Sequence, residues 1–190
     1  MLELLYGFIY WQFVALVGVR YGYHRYWSHN EFEAPIFYEW ISLFFGLFSG
    51  ARSPLGWIGA HRMHHDFSDT DKDPHSPTHK GFYTVLFSLW TVKHIPRKYI
   101  KSIIQNQRIQ FFHKYWKIIW FGSAVFLLLC GLKYFLIFWF YPFLFGQIGF
   151  GLLNTLGHKN GKPSNSLLAA FFTVGEGLHK KHHDYDISAN

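Results

Sequence analysis

Residues 2–21 hold only three strongly polar side chains, Glu3, Gln12 and Arg20. As a helix, such a segment covers the roughly 30 Å of a bilayer's hydrocarbon core. The chain must therefore hide the segment in a large soluble core or leave it in lipid. With 190 residues, 50% of them hydrophobic, 22% aromatic and only 15% charged, lipid is the expectation. Residues 116–130 and 134–153 are also apolar and are separated by Gly131, Leu132 and Lys133, the pattern of a transmembrane helical hairpin with a tight turn. Residues 36–49 are apolar but shorter, bounded by Pro35 and by the turn-forming residues 50–54, which suits an interfacial or half-buried helix better than a crossing. Residues 61–115 are polar and basic, with a turn-rich stretch at 69–77 and helices such as 82–90. The N-terminal segment has no basic start and no small-residue cleavage site, so it reads as a span. The expected fold is all-α: an integral membrane protein of about three spans, with interfacial helices and a cytoplasmic histidine-rich cap. Residues 1–190 read as a single domain, because no linker, repeat or low-complexity tract divides them.

One span followed by a hairpin leaves residues 20–117 and 157–190 on the same side of the membrane. Of the 18 Lys and Arg residues, every one except Lys133 falls there, and the positive-inside rule makes that side cytoplasmic. The net charge of +7 thus orients the chain. The basic residues do not form a dense run or alternate with aromatics as in a nucleic-acid module, so no nucleic-acid partner is expected. Cys130 is the one cysteine, which excludes a disulfide framework and cysteine-based zinc or iron–sulfur sites.

Thirteen histidines exceed what packing needs. His61, His64 and His65 in HRMHH have the spacing i, i+3, i+4, which puts three imidazoles on one helix face. His179, His182 and His183 in HKKHH repeat it. His24 and His29 in HRYWSH follow the first span, a spacing that is weak by itself. Asn154 and His158 lie one turn apart where the last span meets the cytoplasmic side. His75, His79, His94 and His113 lack the triplet spacing and read as non-ligands. Eight or nine imidazoles and an asparagine are too many for one tetrahedral ion, so two metal ions fit better. HExxH is absent, which removes the zinc-protease reading. Neutral ligands need carboxylates to orient the rings and balance charge; Asp66, Asp69, Asp71, Asp73, Glu176 and Asp184 stand nearby in sequence.

HRYWSH, HRMHH followed by DFSDTDKDPHSP, NTLGH and GEGLHKKHH, in that order over residues 20–185, resemble the motifs of the membrane fatty acyl desaturases of the delta-9 (stearoyl) type. The resemblance implies a di-iron centre with nine histidine ligands, which carry over to His24, His29, His61, His64, His65, His158, His179, His182 and His183. Asn154 would hold one metal through a water. It also implies an O2-dependent reaction in which two electrons and dioxygen remove two hydrogens from an acyl chain in lipid or thioester form, giving a cis double bond. The metals carry that chemistry, so no acid or base side chain need act directly. An apolar tunnel for the chain follows, with Trp27 and Trp57 as candidates to line it. No electron-carrying domain is fused, so the expected partner is a separate ferredoxin or b-type cytochrome. The PHSP sequence favours acyl lipids. Relatives place two spans ahead of the first cluster and continue beyond the third, so this chain reads as a minimal form or a fragment truncated at both ends. The competing readings are a related di-iron hydroxylase or ketolase and a truncated, non-catalytic relative.

Overall fold

The structure, a computed structural model, describes residues 2–88, 92 and 94–184, with Lys181 and Asp184 described by backbone alone. The described residues are helical apart from turns and one isolated bridge between Asn165 and Leu178, as the all-α reading expected. Helix α1 runs 27 residues, Leu2–Ser28. Its second half, Ala15–Ser28, winds more loosely as a π-helix, with i to i+5 hydrogen bonds. Helices α2 (Ile36–Phe48) and α3 (Pro54–Phe67) follow. Then come the short turns of helix α4 (Pro77–Lys80) and α5 (Phe82–Leu86). Helix α6 (Gln107–Cys130) turns at Gly131 into α7, Leu132–Leu156. Helices α8 (Leu167–Phe172) and α9 (His179–Asp184) complete the described chain.

Helices α1 and α7 are long and apolar enough to cross a membrane, and only 33% of either apolar window is buried by protein. Leu2, Leu5, Ile9 and Phe13 on α1 stay exposed, as do Ile118, Phe121, Val125 and Leu129 on α6. A soluble core helix would hide such side chains; here they form an exposed apolar belt of the kind that faces lipid. The expected hairpin is present, with its tip at Gly131, whose φ of +133 only glycine adopts readily. Helix α6 begins earlier than its apolar stretch, because Asn106 caps it by accepting from the N–H groups of Arg108 and Ile109. Its first turns carry Arg108, His113, Lys114 and Lys117, so this third expected span is apolar only in its second half.

Helix α2 is half-buried, as its length suggested, and it runs back up the loosely wound half of α1. Tyr26 Oη donates to Glu39 Oε1 at 3.1 Å near one end, while Phe48 packs with Val14 and Ala15 at the other. Gly18 and Gly46 let the two backbones touch, since a Cβ on Gly18 would overlap Phe45 and Gly46. The chain then turns through residues 49–53 about midway along α1. Ser53 and Pro54 start α3, which descends again. The expected helix at 82–90 is shorter, because Phe87 ends α5 and Ser88 turns with a φ of +52; residues 89–90 lie outside the described chain.

The polar side chains of the first span explain how the C-terminal part is held. Trp11 Nε1 donates to Phe172 O at 2.7 Å, Gln12 Nε2 to Phe171 O at 3.2 Å, and Arg20 to Val174 O. Each donor inside the apolar region thus meets a carbonyl, as a medium without water demands. These bonds lay α8 and the loop after it along α1, which brings α9 to the lower end of the first helix.

Candidate metal centre

Three elements deliver imidazoles to one place: the end of α1, the end of α3 and α9, with His158 just past α7. In an α-helix, residues five apart point about 140° away from one another, so His24 and His29 would diverge. The π-winding of Ala15–Ser28 removes that divergence. His29 N–H donates to His24 O at 3.1 Å, the i to i+5 bond, and the two rings sit 4.9 Å apart between centroids. Such windings recur at functional sites.

The histidines form two groups, in each of which the nitrogens lie within 4.8 Å of one another: His24, His29, His61, His65 and His182 in one, and His64, His158, His179 and His183 in the other. The groups adjoin where the rings of His65 and His183 stack at 4.6 Å. All nine predicted histidines are therefore brought together. Asn154 lines the same cavity as His24, His61, His64 and His179.

The nitrogen geometry can be tested against a metal. Within the first group, Nε2 atoms face one another at 2.9 Å for His24–His182, 2.9 Å for His29–His61, 3.1 Å for His61–His65 and 2.9 Å for His65–His182. In the second, His158–His179 is 3.0 Å and His179–His183 is 2.9 Å. Two nitrogens bound at right angles to one ion at about 2.1 Å stand about 3.0 Å apart. The carboxylates settle the tautomers at three rings. His64 Nδ1 lies 2.9 Å from Asp73 Oδ2, His158 Nδ1 2.9 Å from Asp69 Oδ2 and His24 Nδ1 2.7 Å from Glu176 Oε2. An acceptor on Nδ1 puts the ring proton there and leaves Nε2 with a bare lone pair. Among the described residues, His64 Nε2 is buried with no hydrogen-bond partner, a cost that a cation removes. Burial, reinforced by the neighbouring imidazoles, holds His61, His64 and His179 well below the usual imidazole range, so they are neutral donors at neutral pH. The residues present fit two metal ions.

Of the six acids that sequence placed nearby, three orient rings: Asp69, Asp73 and Glu176. Asp73 is fully buried, and burial pushes it up to about 6 while the N–H groups of His75 and Asp69 pull it down. Burial also opposes the charge of Glu176, but His24 and Arg20 outweigh it and hold the carboxyl below its ordinary value. Asp66 instead accepts from Lys98 Nζ at 2.8 Å and Tyr99 Oη at 2.7 Å, and Asp71 is exposed. The Asp184 side chain lies outside the described structure.

His79, His94 and His113 are exposed, in keeping with their reading as non-ligands. His75 is buried, with its ring stacked 4.2 Å from that of His64 and its N–H donating to Asp73 Oδ1 at 3.0 Å. With Asp73 and His64 it forms a third possible metal group, but Asp73 there is already bonded to His64 Nδ1. Its place beside the cluster was missed in sequence because it belongs to no helical triplet. Arg20, read only as a polar interruption of the first span, stands 3.2 Å from Glu176 Oε1 and supports the His24 carboxylate.

A cavity of about 390 Å³ opens onto the histidines. Trp11, Ala15 and Val19 line it along α1, and Ala51 in the turn before α3, Trp57 on α3 and Phe150 on α7 line it from the facing side. Trp57 stacks on His61 at 5.0 Å with planes 9° apart. Trp27 does not line it: its indole is buried in the core and donates to Ser42 Oγ at 3.2 Å. The π-winding points Trp27 at α2, away from the cavity.

The sequence model described as "Fatty acid desaturase" matches residues 2–186. The chain is 30% identical to the sn-1 stearoyl-lipid 9-desaturase of Anabaena variabilis, over 95% of this chain and 71% of that protein. It is 33% identical to the protein of the same description from Synechocystis, over 91% of this chain and 58% of the relative. It is 28% identical to the acyl-CoA Delta(11) desaturase of Trichoplusia ni, over 95% and 58% respectively. The chain thus spans 58 to 71% of the length of these curated relatives.

Proposed function

The chain belongs to the fatty acid desaturase family, and on that premise we propose that residues 1–190 form one membrane-bound, O2-dependent acyl desaturase domain. Its product is a cis double bond, delta-9 by kinship with the stearoyl-lipid relatives, in an acyl chain held as a lipid. The carrying observation is the cavity, apolar along Val19, Ala51 and Phe150 and ending on His24, His61, His64, His179 and Asn154.

Two iron ions are the metals of this reading. His24, His29, His61, His65 and His182 hold one, and His64, His158, His179 and His183 hold the other, with Asn154 acting through a water. When bound, the irons supply the redox chemistry: an acyl CH2–CH2 unit, O2, two electrons and two protons give a cis CH=CH unit and two waters. The side chains do the positioning. Ala15, Val19 and Phe150 keep the acyl chain extended and exclude water. Asp69, Asp73 and Glu176 keep the protons of His158, His64 and His24 on Nδ1. The electrons come from a separate ferredoxin or b-type cytochrome. The positive-inside rule supports placing the histidines at the cytoplasmic face, since Lys133, at the hairpin tip, is the one basic residue on the other side.

Expressed with a reductase system in cells lacking monounsaturated acyl chains, the protein is expected to produce cis alkenes at one position. Hydroxylated or keto products alone would transfer the chain to the related hydroxylases, and absence of product from iron-loaded protein would leave a non-catalytic relative.

Trp11, which lines the cavity, sets acyl length in this reading. Trp11 is 1% exposed and lies 13 residues before His24 on α1. A methylene in an apolar pocket discriminates by tenfold or more. Trp11→Leu, which shortens the wall, is expected to raise the ratio of longer to shorter acyl products by about tenfold. Competition between saturated chains differing by two carbons measures it. An unchanged ratio in folded, active protein would mean that the chain does not end at Trp11.

A further inference from the structure

Arg62 stands between His61 and His64 in α3 and is 9% exposed. Its hydrogen bonds run to four uncharged oxygens: NH2 to Trp27 O at 2.7 Å, Nε to Ser28 O at 2.9 Å, and NH1 to Tyr99 O at 3.0 Å and Ser102 Oγ at 2.9 Å. The first two are the last carbonyls of α1. A helix ends with carbonyls that lack intrahelical partners and carry partial negative charge. In α1 the carbonyls of His24, Arg25 and Tyr26 are taken by the N–H groups of His29, Glu31 and Asn30. Those of Trp27 and Ser28 are left to Arg62. The cap of the first helix is thus a side chain of the third, and it grips the two residues directly before His29.

We propose that Arg62 is a positioning residue for the five-histidine site alone, fixing the pair His24 and His29 of α1 against the pair His61 and His65 of α3. The inference rests on the two-iron reading above. Four of that site's five imidazoles depend on the relation of these two helices. The other site takes only His64 from α3; His158 is held by Asp69 in the loop after α3, and His179 and His183 follow the segment 171–174 that Trp11, Gln12 and Arg20 tie to α1. A guanidinium is required because its planar fork presents donors to four oxygens at once, whereas an ammonium is a point charge with three donors.

The test measures anaerobic Fe(II) affinity in purified full-length protein with one site disabled at a time. In a His158→Ala background, which isolates the five-histidine site, Arg62→Lys is expected to weaken binding by about 10- to 100-fold, the usual effect of removing a group that orients ligands. In a His182→Ala background, which isolates the four-histidine site, the same change is expected to leave affinity unaltered and the Mössbauer signature intact. Equal losses at both sites, or none at either, would overturn the assignment. Should Arg62→Lys yield no folded protein, Ser102→Val, which removes one acceptor, is expected to weaken only the five-histidine site, and equal losses at both sites, or none at either, would overturn it. An unsubstituted chain that takes up no iron would refute the two-iron reading instead.

Discussion

On the proposed two-iron reading, a His64→Ala chain is expected to fall from about two iron ions to about one, and desaturation to background, because the two metals would act as a unit. His64 is 2% exposed and lines the cavity, its Nδ1 is fixed by Asp73 and its Nε2 is the orphaned acceptor of the four-histidine group. His75 stacks on its ring but is not a member of that group. The substitution also leaves Asp73 buried without the ring it orients. Iron analysis of anaerobically purified protein, beside product formation and a fold check by circular dichroism, reads all three. Two retained irons with undiminished turnover would remove His64 from the site.

Asp73→Asn is expected to weaken metal binding or activity by about 10- to 100-fold while preserving shape. Both oxygens of Asp73 accept. Oδ2 takes the Asp69 N–H at 2.9 Å and Oδ1 takes the His75 N–H at 3.0 Å, and both lie within 3.0 Å of His64 Nδ1. An asparagine has one oxygen, so its NH2 must confront a backbone donor in a position with no access to water. Leaving such a donor unsatisfied costs about 1–3 kcal/mol. The loop at 69–75 would shift, and Asp69, which orients His158, would shift with it. Iron affinity should therefore fall more at the four-histidine site than at the other. Equal losses at the two sites would count against a local orienting role for Asp73.

Six of the metal ligands proposed from sequence share one property. Within a helix, i, i+3 and i+4 spacing fixes a common face whatever the surroundings, so His61, His64 and His65 and then His179, His182 and His183 could be grouped by eye. Apolar runs were legible for a similar reason, since each lipid-facing helix must satisfy its backbone internally. Legibility ended where α-helical periodicity did. His24 and His29 looked weakly related because five residues separate them, and the π-winding that aligns them leaves no mark in composition. Trp27 is a candidate for the tunnel by its nearness in sequence to His24, and the same winding turns it into the core. His75 and Arg62 carry no periodic signature; their roles exist only where α3, the loop after it and α1 meet.

Sequence alone thus determined the helical, apolar class of this chain and the two triplets, because helix spacing and transfer from water are local properties. Tertiary structure decided the division of nine imidazoles into groups of five and four, the choice of Asp69, Asp73 and Glu176 among six acids, and the course of the cavity from Trp11 to the histidines. Those depend on side chains up to 158 residues apart, as His24 and His182 are, meeting within about 3 Å. Only the packing of α3, α7 and α9 on the lower end of α1 sets such distances.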